Sequence, residues 1–149
     1  MRKRALTLFA VAVLAGAFTA VALAAQPKSE GFYGGSFKNG KNYVSFLVTK
    51  SDKIATADVQ YRCKGKSVIA HTGQKFKPRP LSSTGAFELE FKARITSNDG
   101  KGRKVGSGRV RIVGRFVTSS RAEGTARVKS EKCPKRKQAF VANGPQIEG

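Results

Sequence analysis

The sequence contains no tryptophan, one histidine, one methionine and two cysteines, and it sets only 9 Asp and Glu against 29 Lys and Arg. Each shortage narrows what the chain can be. Without tryptophan it lacks the broad ring on which a carbohydrate-stacking module relies. With His71 as the sole histidine and no Cys-x-x-Cys spacing, a two-cysteine metal site is a weak reading, and no cofactor is called for. Apolar residues at helical spacing are also missing. After the first 25 residues, no apolar stretch approaches transmembrane length.

Those first residues have a distinct order. Arg2, Lys3 and Arg4 precede an uncharged apolar run from Ala5, which ends on Ala22, Leu23 and Ala24. This is the layout of a secretory signal over residues 1–24, with cleavage expected after Ala24. The competing reading is an uncleaved anchor, because the 21 uncharged residues 5–25 just suffice to cross a bilayer. Their alanine, glycine and threonine content weakens it. No cysteine follows the signal to carry a lipid, and Arg2 and Arg4 are not adjacent, which gives twin-arginine export no support. The expected product is secreted, extracellular or associated with the cell envelope, and has no transmembrane segment.

Removing 24 of the 149 residues leaves 125, the size of one domain with a real core, running from 25 to 149 with loose ends at 25–30 and 143–149. The formal charge of +20 includes the three signal cations, so the remainder keeps +17. Both cysteines lie in this part. In an oxidising compartment a Cys63–Cys133 disulfide is the expected state.

The dominant period is two. Val44, Phe46 and Val48 alternate with Ser45, Leu47 and Thr49, and after a polar turn at 50–53 Ala57, Val59, Tyr61 and Cys63 alternate with Thr56, Asp58, Gln60 and Arg62. Pro78 and Pro80 exclude a central strand around them. Beyond them Phe87, Leu89, Phe91 and Ala93 face inward against Glu88, Glu90, Lys92 and Arg94. A loop over 97–108 carries four glycines and an Asn-Asp-Gly turn signal. Val110, Ile112, Gly114 and Phe116 then point in, with Arg109, Arg111 and Arg115 out. A turn at 119–123 leads to Ala126 and Val128, which alternate with Thr125, Arg127 and Lys129, and residues 138–142 form a last short strand. About seven or eight short strands predict an all-β antiparallel sandwich, with a small barrel as the alternative.

The run Gly31-Phe32-Tyr33-Gly34-Gly35, the early cysteine closing a strand, Gly114-Arg115-Phe116 followed by Gly124-Thr125-Ala126-Arg127-Val128, and Cys133 shortly before Phe140-Val141-Ala142 resemble small secreted bacterial β-domains of uncharacterised function. The likeness spans nearly all of the chain after the signal. It implies an all-β fold with a two-cysteine framework, and it carries no catalytic residue. Phe140 stands where that family leads one to expect tryptophan.

Few groups offer chemistry. Glu88 and Glu90 lie two apart on one strand face, roughly 7 Å from each other and within the range of a glycosidase pair. Cross-strand cations would instead make them part of a salt-bridged surface. His71 has no acid partner nearby in sequence and reads as a lone exposed histidine near a turn. Gly100-Lys101-Gly102 with Gly106 and Gly108 lacks the strand-loop-helix setting of a phosphate loop and reads as a flexible hairpin.

The cations are more telling. The disulfide would draw Arg62, Lys64 and Lys66 toward Lys132, Lys135, Arg136 and Lys137, with only Glu131 to offset them. Arg109, Arg111 and Arg115 share a second strand face. Either patch can hold phosphate, sulfate or carboxylate, Arg being suited to bidentate contact. Solubility alone is the competing explanation, although +17 exceeds the magnitude of about 2–8 usual for a small soluble domain. The sequence therefore favours a non-catalytic binding module for an anionic polymer or surface, whether cell envelope, acidic polysaccharide, anionic lipid or nucleic acid. The rivals are a structural or inhibitory domain with a protein partner, and a small hydrolase using Glu88 or Glu90.

Overall fold

A computed structural model describes residues 25–27 and 30–146; the expected signal at 1–24 lies outside the described residues. Nine strands follow in order: β1 (Gly31–Ser36), β2 (Tyr43–Val48), β3 (Lys53–Cys63), β4 (Lys66–Thr72), β5 (Arg79–Pro80), β6 (Ala86–Ser97), β7 (Lys104–Thr118), β8 (Arg121–Ser130) and β9 (Arg136–Gln146). All pairings are antiparallel, and no helix among the described residues is long and apolar enough to cross a membrane.

The expected sandwich does not form. Strand β1 pairs with β2 on one side and β9 on the other, β2 pairs with β3, and the ring continues through β4, β6, β7, β8 and back to β9. Every one of these eight strands thus has two neighbours, which makes a closed up-and-down barrel, the alternative architecture. Closure removes the free edges that a sandwich would have to protect. Only β5 stands outside the ring. Its two residues, Arg79 and Pro80, pair with Ile54 and Lys53 of β3, which fits the exclusion of proline from central strands.

Eight strands enclose a space just wide enough for side chains to fill. Tyr33, Phe46, Phe87 and Phe116 pack ring against ring there, with centroids 5.0 to 6.2 Å apart. From Phe87 to Ile95 in β6 and from Val110 to Phe116 in β7 every second residue is buried, as their alternation predicts. One inward row explains how bulky rings fit. Phe87, Gly114, Gly124 and Phe140 lie directly opposite one another across β6, β7, β8 and β9. A Cβ on Gly114 would lie 2.6 Å from the Phe87 ring, and one on Gly124 would lie 2.9 Å from the Phe140 ring. The two glycines leave the volume that the flanking rings occupy.

The glycine-bearing loop is shorter than 97–108. Strand β7 begins at Lys104, so Gly106 and Gly108 are strand residues, and a Cβ on Gly108 would press on the Lys129 carbonyl oxygen at 2.7 Å. Gly108 is there because β8 comes close, not because the chain turns. Likewise β9 runs to Gln146, so residues 143–146, expected as a loose end, belong to a strand that pairs with β8 and β1. At the other end, the Gln26 amide donates to the Ser82 and Ser83 carbonyls at 3.1 and 2.8 Å.

Cys63 and Cys133 are joined, with Cα atoms 5.1 Å apart. Local geometry prepares the bond. Lys64 and Gly65, at φ 49° and 79°, form a two-residue turn that returns the chain so that Cys63 pairs with Lys66. This sets Cys63 at the rim of the barrel, at the same end as the loop between β8 and β9 that carries Cys133.

Candidate functional site: a cationic barrel wall

Strand alternation that buries Val110, Ile112 and Phe116 turns Arg109, Arg111 and Arg115 outward. The hairpin through Ser119 and Ser120, together with a register shift between Phe116 and Thr118, fixes which β8 residues meet them. Arg111 falls directly opposite Arg127, and Arg109 opposite Lys129. One strand further, Arg127 faces Lys137 of β9; on the other side Arg111 faces Glu90 and Arg109 faces Lys92 of β6. Two adjacent rows therefore cross the outer wall, Glu90–Arg111–Arg127–Lys137 and Lys92–Arg109–Lys129. Between them lies a shallow depression of about 220 Å³ lined by Glu90, Arg109, Arg111, Arg127 and Lys129.

The two carboxylates of the wall are at its β6 edge. Arg111 donates from Nε and Nη2 to Glu88 Oε1 at 2.8 Å, and Arg109 Nη1 stands 3.5 Å from Glu90 Oε1. Both contacts run diagonally across the ladder, since Arg111 is directly opposite Glu90 rather than Glu88. The right-handed twist of the sheet brings diagonal partners of long side chains within reach. Glu88 and Glu90 thus serve as the cross-strand salt-bridged surface, each occupied by a guanidinium rather than facing its fellow across a substrate gap. Lys92, Arg127, Lys129 and Lys137 have no ion pair among the described residues.

The sequence-expected sites are redistributed. Arg109 and Arg111 stand together on the wall, but Arg115 lies beyond the row Glu88–Val113–Thr125, opposite Glu123. Of the seven cations grouped around the disulfide, Lys64, Lys66, Lys132, Lys135 and Arg136 do lie at that end of the barrel, in or beside the β3–β4 turn and the β8–β9 loop. Arg62 is on the outer face of β3, and its guanidinium donates to the Gly65 carbonyl at 3.2 Å. Lys137 belongs to the wall, while Arg136 opposes Val128 at the start of β9. The same rim carries Asp99, whose carboxyl is held at about 2 by the Ser97 hydroxyl, the Lys101 backbone N–H and the Arg103 guanidinium. Sequence alternation alone does not single out Arg127 and Lys129 as site residues. Counting back from the two-residue turn does not find them either, because a register shift between Phe116 and Thr118 moves the pairing by one residue; without it Arg111 would oppose Val128.

His71 is not the lone histidine its sequence neighbours imply. It lies in β4 directly opposite Asp58 of β3, with Nδ1 at 2.9 Å from Asp58 Oδ1 and Nε2 at 2.9 Å from Thr96 Oγ1 of β6. Carboxylate, imidazole and hydroxyl are thus in line. Their burial is the reverse of what a nucleophile needs: Thr96 is 7% exposed, whereas the Asp58 and His71 side chains are 43% and 36% exposed. The Thr96 hydroxyl is the covered end of the line and the Asp58 carboxylate its open end. The line instead fastens three strands together on their outer face.

No protein-family model, no curated protein and no solved structure matches the chain.

Proposed function

We propose that the protein is a secreted, non-catalytic binding module whose β6–β9 wall associates with an anionic polymer of the cell envelope or its surroundings. The single observation that carries this reading is the placement of Arg127 directly between Arg111 and Lys137, with Lys129 beside Arg109 in the next row. Like charges directly opposite each other on a sheet oppose folding. A cluster that costs stability and is more than solubility requires is accounted for by a counter-charge that comes from outside. Arg forks favour the oxygens of phosphate, sulfate or carboxylate. The phenylalanines of β6 and β7 point into the core, so the wall offers charge without a stacking platform, which favours backbone or glycan charges over bases.

The test compares two variants of equal charge. One replaces Arg127, Lys129 and Lys137 with alanine; the other replaces Lys64, Lys66 and Lys132. On a polyanion matrix such as heparin, the native protein should be retained and released by salt, and the wall variant should elute well before the rim variant. Coincident elution of the two variants, or retention indifferent to salt, would remove the reading.

A further inference from the structure

We infer that Arg109, Arg111, Arg127 and Lys129 form a discrete seat for one tetrahedral oxyanion, a phosphate or sulfate group carried by the polymer; this rests on the proposed binding function and names the chemistry its wall selects. The four side chains come from two strands and two adjacent rows, so they approach the depression from four corners. A planar carboxylate offers two oxygens, enough for one fork. A tetrahedral group offers three or more acceptors and can engage several donors at once.

Glu88 and Glu90 give the seat its definition. Glu88 Oε1 accepts from both Nε and Nη2 of Arg111, which fixes the plane of that guanidinium and leaves its remaining N–H groups for a ligand. Glu90 stands beside Arg109 in the same manner, at longer range, and also lines the depression. Arg127 and Lys129 are unconstrained and can close on the anion. A ready-oriented fork loses less freedom on binding than a free one.

This geometry makes a prediction opposite in sign to that of a diffuse positive field. Glu88→Gln removes a negative charge, so a diffuse surface would bind anions more tightly. A seat that depends on Arg111 being held would bind them less tightly. The experiment follows the arginine Nε–Hε NMR signals of the full exported chain during titration with sodium phosphate, sodium sulfate or sodium acetate at matched ionic strength. Saturable shifts of Arg109, Arg111 and Arg127 with phosphate or sulfate are expected, with acetate producing none, and the two tetrahedral arms show which oxyanion is preferred. Glu88→Gln should weaken the saturable phase about fivefold, as the loss of preorganisation requires. Equal response to acetate, no saturation, or tighter binding by Glu88→Gln would overturn the seat. If those results came with intact, salt-sensitive retention on heparin, the polymer-binding function would stand and only the seat would fall. Loss of retention as well would remove both.

Discussion

Reversing the charge of Arg127 should make the protein more stable and a worse ligand at the same time. Arg127 lies between Arg111 and Lys137 in the ladder. Cross-strand charge pairs contribute about 0.2–1 kcal/mol, and exposed ones fall at the lower end, so about 0.3 kcal/mol per neighbour is reasonable. Arg127→Glu turns two repulsions into two attractions, a gain of about 1 kcal/mol, equivalent to a rise of about 3–5 °C in melting temperature for a domain of this size. The gain should fade by 1 M salt, where the screening length is about 3 Å. Over the same salt range, a polyanion-binding isotherm of the variant should show a shallower dependence of log affinity on log salt. The slope should fall by about 0.7–0.9 for each phosphate that the variant no longer neutralises. Calorimetric melting and a salt-dependent binding series check both. An unchanged or lower melting temperature at low salt would refute the argument that the ladder is electrostatically frustrated, and unchanged binding would refute its use.

Three further outcomes follow from the fold. Replacing Cys63 and Cys133 together with serine opens a constraint spanning 70 residues; the chain-entropy model puts the loss at about 4 kcal/mol. Urea unfolding checks it, and a loss under about 1 kcal/mol would mean that the unfolded chain is already restricted without the bond. Gly124→Val places atoms against the Gly114 Cα at 2.7 Å and the Phe140 ring at 2.9 Å, and should cost about 3 kcal/mol or more, read as a lower urea midpoint. Asp99 is depressed to about 2, so the clip it makes at the rim is at full strength above the ordinary carboxyl range and weakens as pH falls toward 2. Its carboxyl carbon should titrate at about 2 by NMR, and Arg103→Ala should move that midpoint upward.

Strand positions in β2, β3, β6 and β7 were legible because each has one wet and one buried face, and period two records that division directly. The disulfide was legible from cysteine count alone. Closure was not. Strand β1 is Gly-Phe-Tyr-Gly-Gly-Ser, whose glycines hide the alternation, and its pairing with β9 joins residues more than a hundred apart in the chain. A sandwich and a barrel share every local signal and differ only in that long-range pairing. The link from Asp58 through His71 to Thr96 escaped for a related reason. It crosses three strands, and Thr96 is buried on the outer face, next to the buried inward Ile95, where strict alternation would expose it. The wall was half visible: its β7 arginines lay in plain alternation, whereas the β8 and β9 cations join them only once the register is known.

The row of two phenylalanines and two glycines packs ring against backbone inside the barrel. Among the described residues, Tyr33, Phe46, Phe87 and Phe116 meet ring to ring there, so the inward faces of the strands are engaged with one another. Along β6 to β9, odd and even positions then have separate duties, one set for the interior and one for the exterior. Mutation can redraw the outer set, changing what the surface attracts, while the filling that holds the cylinder shut stays as it is.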